Sequence, residues 1–306
     1  MLEHSSYLKD SWLRFSANSP EEARLLILGI PFDNATSLSK GAAEGPDMMR
    51  RLSVDLSDQA EDFQQIYPKL LWDYGDIHID LNWERYFATV EEEAYKMMCL
   101  GKMCLFLGGD HSVTIPLHQA FAKYQRENDR KIGIVHFDAH YDLCKEYDGF
   151  KWSHASTEAR ALEGIVSGED ICFVGIRVRE DIEKEVLEAH PGIRTIRAIE
   201  IWEKGVKWAI EEIVKQFSGY DAIYFTLDID VLDPAFAPGT GTPVAGGISS
   251  RELITMVREM LARLPIRAMD IVEVAPGLDV NNITSWAALR IIHQLFTQIS
   301  VEVENS

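Results

Sequence analysis

The sequence has little positive charge, few cysteines and no long apolar run. Its 306 residues carry 30 Lys and Arg against 49 Asp and Glu, which gives a formal net charge of −19. Such a surface repels nucleic acid, because phosphate binding needs clustered basic side chains. The charge favours solubility, and it would also attract a small cationic ligand.

The four cysteines form no Cys-x-x-Cys pair, so the sequence contains neither a zinc knuckle nor a dithiol redox motif. Sparse, irregularly spaced cysteines are typical of a reducing cytoplasm. No apolar run approaches the roughly 18 residues of a membrane-spanning helix. The first 12 residues lack the apolar core of a signal peptide. We therefore expect a cytoplasmic protein with no nucleic-acid or membrane partner.

Apolar runs of strand length recur along the chain, at residues 25–30, 103–107, 132–137, 171–176, 222–227 and 267–274. They are continuous, as in strands that are buried on both faces. Segments with helix-like apolar spacing lie between them, at residues 83–100, 201–217, 249–264 and 285–299. This alternation predicts an α/β fold with a mainly parallel sheet. We find no linker or repeat and expect a single domain over residues 1–306, in which the irregular stretch 233–247 forms part of a site.

Acidic and imidazole side chains follow three of these apolar runs. The six potential metal ligands are His111, Asp138, His140, Asp142, Asp228 and Asp230. Alternate side chains of an extended segment share a face, and open α/β sheets bind ligands at the carboxyl ends of their strands. An isolated Asp-x-Asp is also typical of a solvated turn or a helix cap. Several unpaired carboxylates at buried strand ends would be costly, however, so we expect positive charge among them.

Four aspartates and two histidines exceed the three or four protein ligands of a tetrahedral zinc ion. They suit two divalent ions with bridging carboxylates, and oxygen-rich ligation favours Mn²⁺, with Ni²⁺, Co²⁺ and Zn²⁺ as alternatives. Two ions about 3.5–4 Å apart can share a bridging water and yield hydroxide near neutral pH. Glu273 follows apolar residues and could bind a cationic guanidinium substrate through both carboxylate oxygens. A surface carboxylate is the alternative interpretation of Glu273.

Three segments resemble the signatures of the arginase/agmatinase/formimidoylglutamase family, the ureohydrolases. They are Gly-Gly-Asp-His-Ser at 108–112, Asp-Ala-His-Tyr-Asp at 138–142, and the stretch 226–243 that begins Thr-Leu-Asp-Ile-Asp. Thr226 stands where the third signature often has serine, a departure that leaves the ligands untouched. The similarity runs from about residue 25 to about residue 296 and is nearest to the agmatinase branch.

The resemblance implies a three-layer α/β/α sandwich of the arginase/deacetylase type and a trimeric or hexameric homo-oligomer. It implies one metal ion held by His111, Asp138, Asp142 and Asp228. A second ion would be held by His140, Asp138, Asp228 and Asp230. It also implies catalytic roles for His154 as a proton shuttle, for Glu273 as the guanidinium-binding residue, and for Asp142. The full ligand set argues against the single-zinc deacetylases, and Glu273 fits a guanidinium better than a formimidoyl group.

The implied reaction is hydrolysis of a guanidino compound to urea and an amine, and agmatine, which gives putrescine for polyamine biosynthesis, is the expected substrate. Residues 143–152 lack the Asn/Ser-rich pattern with which arginases hold an amino acid. Candidates to bind the agmatine amine are Glu146, Tyr147, Asp148 and Trp152. The guanidino acids 4-guanidinobutyrate and 3-guanidinopropionate are alternative substrates, because four basic residues could bind their carboxylate. These residues are Lys145, Lys151, Arg160 and Arg177. Arginine is a further alternative. A catalytically silent metal-binding scaffold is the rival class, although such a protein would be expected to have lost a ligand, His154 or Glu273.

Overall fold

The computed structural model describes residues 10–304. Residues 1–9, on which the expectation of no signal peptide partly depends, lie outside the described part. The strands are β1 (Leu25–Gly29), β2 (Leu71–Asp76), β3 (Met103–Leu107), β4 (Ile132–Phe137), β5 (Ile171–Ile176), β6 (Arg194–Arg197), β7 (Ala222–Asp228) and β8 (Ile266–Val272). The α-helices are α1 (Gly45–Leu52), α2 (Trp83–Met98), α3 (Thr114–Arg126), α4 (Thr157–Leu162), α5 (Asp181–Ala189), α6 (Ala198–Lys204), α7 (Val206–Gln216), α8 (Ser250–Arg263) and α9 (Ile283–Glu304).

The eight strands form one parallel sheet in the order β2-β1-β3-β8-β7-β4-β5-β6. Side chains from α1 and from α6 to α9 pack on one face, together with Leu25 and Ile27 of β1. Side chains from α2 to α5 pack on the other face, together with Leu26 and Leu28. Successive strand residues therefore enter two separate cores, which explains why the strand sequences are continuously apolar. The predicted three-layer α/β/α fold is confirmed.

Strands β2 and β6 were not predicted, because both lie at the edges of the sheet. β2 alternates buried with partly exposed residues, and β6 has the sequence Arg-Thr-Ile-Arg with one buried residue. An edge strand with one covered face needs apolar residues at only half of its positions.

Two predicted boundaries were wrong. The helix expected at 201–217 is two helices, α6 and α7, because Gly205 between them has φ 87°. The strand expected to reach residue 274 ends at Val272, and Glu273 adopts φ 61°. The capping box that Ser249 forms with Glu252 at the start of α8 is present. Over residues 10–304 no helix is long and apolar enough to cross a membrane.

Candidate metal centre and substrate pocket

The polar cluster lies where the four central strands β3, β8, β7 and β4 end side by side. His111 begins a short 3-10 helix after β3, Asp138 directly follows β4, and Asp228 is the last residue of β7. A Cβ atom at Gly109 would lie 1.8 Å from the carbonyl oxygen of Phe32, so only glycine allows the chain leading to His111 to pass so closely. Parallel topology thus brings ligands from distant sequence segments to one edge.

The first group of ligands surrounds the His111 ring. Its Nδ1 lies 3.1 Å from Asp138 Oδ2, 3.0 Å from Asp142 Oδ2 and 3.5 Å from Asp228 Oδ2. All four side chains are buried. His111 Nε2 instead faces the hydroxyl of Thr226 at 2.9 Å, which leaves Nδ1 as the ring atom that points at the carboxylates.

The second group surrounds His140, which is partly exposed. Its Nδ1 lies 3.3 Å from Asp138 Oδ1 and 3.1 Å from Asp230 Oδ2. Asp138 therefore presents one carboxylate oxygen to each group. Asp228 turns Oδ2 toward His111, while its Oδ1 accepts the Asp230 N–H at 2.8 Å.

The residues present fit a pair of divalent cations. His111 Nδ1 and Asp138 Oδ2 are buried without a hydrogen-bond partner, although they lie within 3.1 Å of each other. Burial and the charges of Asp230 and Asp138 hold the pKa of Asp228 well above its usual range. Buried nitrogen and oxygen atoms without hydrogen-bond partners, and carboxylates that repel one another, are stabilised when cations lie between them. Two sets of side chains could each hold an ion, and they share Asp138. The first is His111, His136, Asp138 and Asp142, and the second is Asp138, His140 and Asp230.

The local geometry behind this arrangement differs from the predicted extended segments. Asp228 caps a 3-10 helix at Ile229–Val231, so Asp228 and Asp230 do not alternate along a strand. Asp142 adopts φ 52°, which turns the chain after His140. The alternation argument was therefore wrong in its backbone geometry, while all six candidate ligands do lie together.

His154 and Glu273 are in contact beside the first group of ligands. His154 Nδ1 lies 3.2 Å from Glu273 Oε1, which also accepts the backbone N–H of His111 at 2.9 Å. His154 Nε2 lies 3.1 Å from the backbone N–H of Ser37, a contact that favours the neutral ring. Burial lowers the pKa of His154, but the hydrogen bond and charge of Glu273 outweigh burial and raise the pKa to about 9.

A cavity of about 290 Å³ opens onto the metal ligands. Its lining residues are Ser37, Leu38, His140, Asp142, Cys144, Tyr147, His154, Ala155, Val178, Glu180, Glu183, Asp228 and Thr242. None of these described lining residues is Lys or Arg, while Glu180 and Glu183 add carboxylates beyond the ligands. Glu183 accepts the backbone N–H groups of Leu143 and Glu180, and burial raises its pKa to about 7.

The four basic residues that made a guanidino acid a possible substrate do not line this cavity. Lys145, Lys151 and Arg160 line a separate cavity of about 630 Å³, together with Glu146. Arg177 directs its guanidinium at backbone carbonyls, including that of Asp230 at 2.6 Å.

Of the four candidates for the substrate amine, only Tyr147 lines the cavity. Trp152 packs against the rings of Trp83 and Phe87, and Asp148 is exposed. Sequence reasoning missed Glu180, Glu183 and the buried pair His136 and Glu158. The two glutamates follow the end of β5, so the rule that strand ends bind ligands could have found them.

Most of the chain is similar to known proteins in sequence and in fold. A model of the arginase family matches residues 23–297. An agmatinase of Proteus mirabilis is 35% identical over 92% of this chain and 90% of its own length. An agmatinase of Escherichia coli strain SE11 is 36% identical with the same coverage. The crystal structure of a hypothetical agmatinase from Burkholderia thailandensis superimposes with a TM-score of 0.84 at 31% identity, covering 95% of this chain and 92% of that one.

Proposed function

The chain belongs to the arginase family, and on that basis we propose that it hydrolyses agmatine to putrescine and urea with two Mn²⁺ ions bound. As a ureohydrolase it is a hydrolase of C–N bonds in linear amidines. The choice of agmatine depends chiefly on one observation, the absence of Lys and Arg among the described residues that line the cavity beside the metal ligands.

Agmatine carries a guanidinium at one end and an ammonium at the other. Glu180 and Glu183 are the carboxylates of the lining that are not candidate ligands, and they would attract the ammonium. The carboxylate of 4-guanidinobutyrate would meet like charge instead, which weakens its binding. Arginine brings an unpaired carboxylate together with its amine, so it is disfavoured for the same reason.

Asp138 and Asp228 are proposed to be shared by the two ions, with His111 and Asp142 completing one site and His140 and Asp230 the other. What supports this assignment is the opposite orientation of the two Asp138 oxygens toward His111 and His140. When bound, two divalent ions would supply Lewis acidity and lower the pKa of a water molecule. The oxygen-rich donor set favours Mn²⁺ over softer ions.

His154 is proposed to deliver a proton to the departing amine, because it lines the cavity and its pKa is raised by Glu273. Glu273 is proposed to bind the guanidinium. Its Oε1 accepts the His111 N–H and contacts His154, which lines the cavity, while Glu273 itself is not among the lining residues.

We also propose a cytoplasmic location, which the sparse and unpaired cysteines support. We further propose a trimeric or hexameric assembly, which the family resemblance supports.

Urea release from agmatine by Mn²⁺-loaded protein tests the proposed activity, with chelated protein and Asp138→Ala as matched controls. We expect release from the loaded parent alone. A loaded parent that binds metal but releases no urea from agmatine or any other guanidine would favour the silent scaffold.

A further inference from the structure

We propose that Glu158 is a positioning residue of the metal centre, which holds the His136 ring against the carboxylate of Asp138. The inference depends on the proposed metal-binding function of this site. It concerns two residues that are not among the six predicted ligands and do not line the cavity, although His136 belongs to the first set of side chains that could hold an ion.

The contacts form a continuous buried line. Glu158 lies in the first turn of α4, and its Oε1 is 3.0 Å from His136 Nδ1. His136 Nε2 is 3.0 Å from Asp138 Oδ2, the oxygen that faces His111, and neither atom has a hydrogen-bond partner, so a cation between them would join them. Glu158 and His136 have no exposed surface, and Asp138 is 1% exposed. Because carboxylate oxygens accept hydrogen bonds, the contact requires the His136 proton on Nδ1, and it fixes the rotation of the ring.

The position of the His136 ring matters because the ring also touches His111. The two imidazoles stack with centroids 5.0 Å apart and an interplanar angle of 16°. A rotation of His136 would therefore disturb the Asp138 oxygen and the His111 ring together. Glu158 acts on both groups through this one side chain.

Packing alone gives no reason for a carboxylate here. Burying Glu158 is costly, and only Oε1 is hydrogen-bonded, whereas Oε2 has no partner. His118 Nδ1 lies 3.9 Å from Oε2, and both ring nitrogens of His118 also lack partners. Replacing a buried ion pair with apolar residues of similar volume is often neutral or stabilising. Buried polar groups kept despite such a cost are typical of functional sites.

The same support occurs on the other side of the stack. His111 Nε2 contacts Thr226 Oγ1, which donates to Asp270 at 2.7 Å. Each stacked imidazole is thus backed by a buried carboxylate, directly for His136 and through a hydroxyl for His111. Carboxylates that hold histidines in this way set ring orientation and basicity at metal sites.

Metal affinity of the full chain, measured by chelator competition with Mn²⁺ and without substrate, tests the proposal. Losing a residue that orients a metal ligand typically costs about 10–100-fold in affinity. We expect about tenfold weaker binding for Glu158→Gln, which keeps the size and an acceptor oxygen but loses the charge. For Glu158→Leu we expect a loss near the upper end of the same range, about 100-fold. Electron paramagnetic resonance of bound Mn²⁺ should change in parallel.

A double-mutant cycle separates positioning from packing. Adding Glu158→Leu to His136→Phe should weaken binding no further than His136→Phe alone, because Glu158 acts through that ring. Tyr86→Phe is the matched control, since Tyr86 is buried with an unpartnered hydroxyl outside the network, and its affinity should stay within about twofold of the parent.

Binding by Glu158→Gln within about twofold of the parent would overturn the proposal, as would losses that add fully in the cycle. Glu158→Gln decides alone if Glu158→Leu does not fold. A parent that binds no metal would contradict the proposed function instead, so the two failures are distinguishable.

Discussion

Replacing Thr226 with valine should weaken metal binding although Thr226 is not itself a ligand. The Thr226 hydroxyl donates its single proton to Asp270 Oδ1 at 2.7 Å, so it must accept from His111 Nε2 at 2.9 Å. The proton of the neutral ring therefore stays on Nε2, and the lone pair of Nδ1 points at the carboxylates of Asp138 and Asp142. Valine keeps the shape of threonine but removes the hydroxyl, and with it the hydrogen bonds to both His111 and Asp270.

The size of the effect follows from burial. A buried donor left without an acceptor costs about 1–3 kcal/mol, and tenfold in affinity corresponds to about 1.4 kcal/mol. The ring can escape this cost by moving its proton to Nδ1, which would block the atom that faces the metal site. Either route predicts about tenfold or greater loss of affinity, in line with other residues that support metal ligands.

Chelator competition with Mn²⁺ measures this loss, and Thr226→Ser is the matched control because it keeps the hydroxyl. We expect Thr226→Ser to bind within about twofold of the parent. Parent-like binding by Thr226→Val, or an equal loss in both variants, would refute the assignment of the His111 tautomer.

Further variants test the roles of individual site residues. Asp138→Ala should lose both metals, because the two oxygens of Asp138 face both groups of ligands. Asp230→Ala should retain one metal. Elemental analysis measures the metal content, and two retained metals in Asp138→Ala would exclude bridging by Asp138. His154→Asn should lower kcat by about 10²–10⁴-fold with unchanged metal content. Glu273 raises the pKa of His154 to about 9, so the ring is charged below pH 9. Turnover of the parent should therefore fall as the pH rises through about 9. If the same fall is seen in His154→Asn, another group is responsible for it. Glu180→Gln should raise KM for agmatine and leave kcat unchanged. The expected increase in KM is about two- to fivefold, which is the range for an exposed charge pair. An unchanged KM would show that the ammonium of agmatine binds elsewhere.

The central strands could be predicted from the sequence because each side chain enters one of two apolar cores. The edge strands β2 and β6 could not. In β6 the partly exposed Arg194 interrupts the apolar pattern, and in β2 the buried Asp73 interrupts it because Asp73 is paired with Arg50. The division of the 201–217 helix depends on a single positive φ at Gly205, which glycine permits but does not require.

The candidate ligands could be predicted because Asp and His are unusual at the ends of buried strands. Their backbone geometry could not, since the 3-10 turn after Asp228 and the positive φ of Asp142 depend on tertiary contacts. The sequence analysis did not single out Glu158. Only the packing of α4 against β4 brings it to His136, so no local pattern could have indicated its role.

The most direct test of the account compares specificity constants for agmatine and 4-guanidinobutyrate on the Mn²⁺-loaded protein, with arginine and 3-guanidinopropionate alongside. Agmatine and 4-guanidinobutyrate present the same guanidinium and differ chiefly in the charge of the far end, which the acidic cavity should discriminate. We predict that kcat/KM for agmatine exceeds each of the other values by at least about tenfold, which corresponds to about 1.4 kcal/mol. A higher kcat/KM for either guanidino acid, or for arginine, would contradict the account.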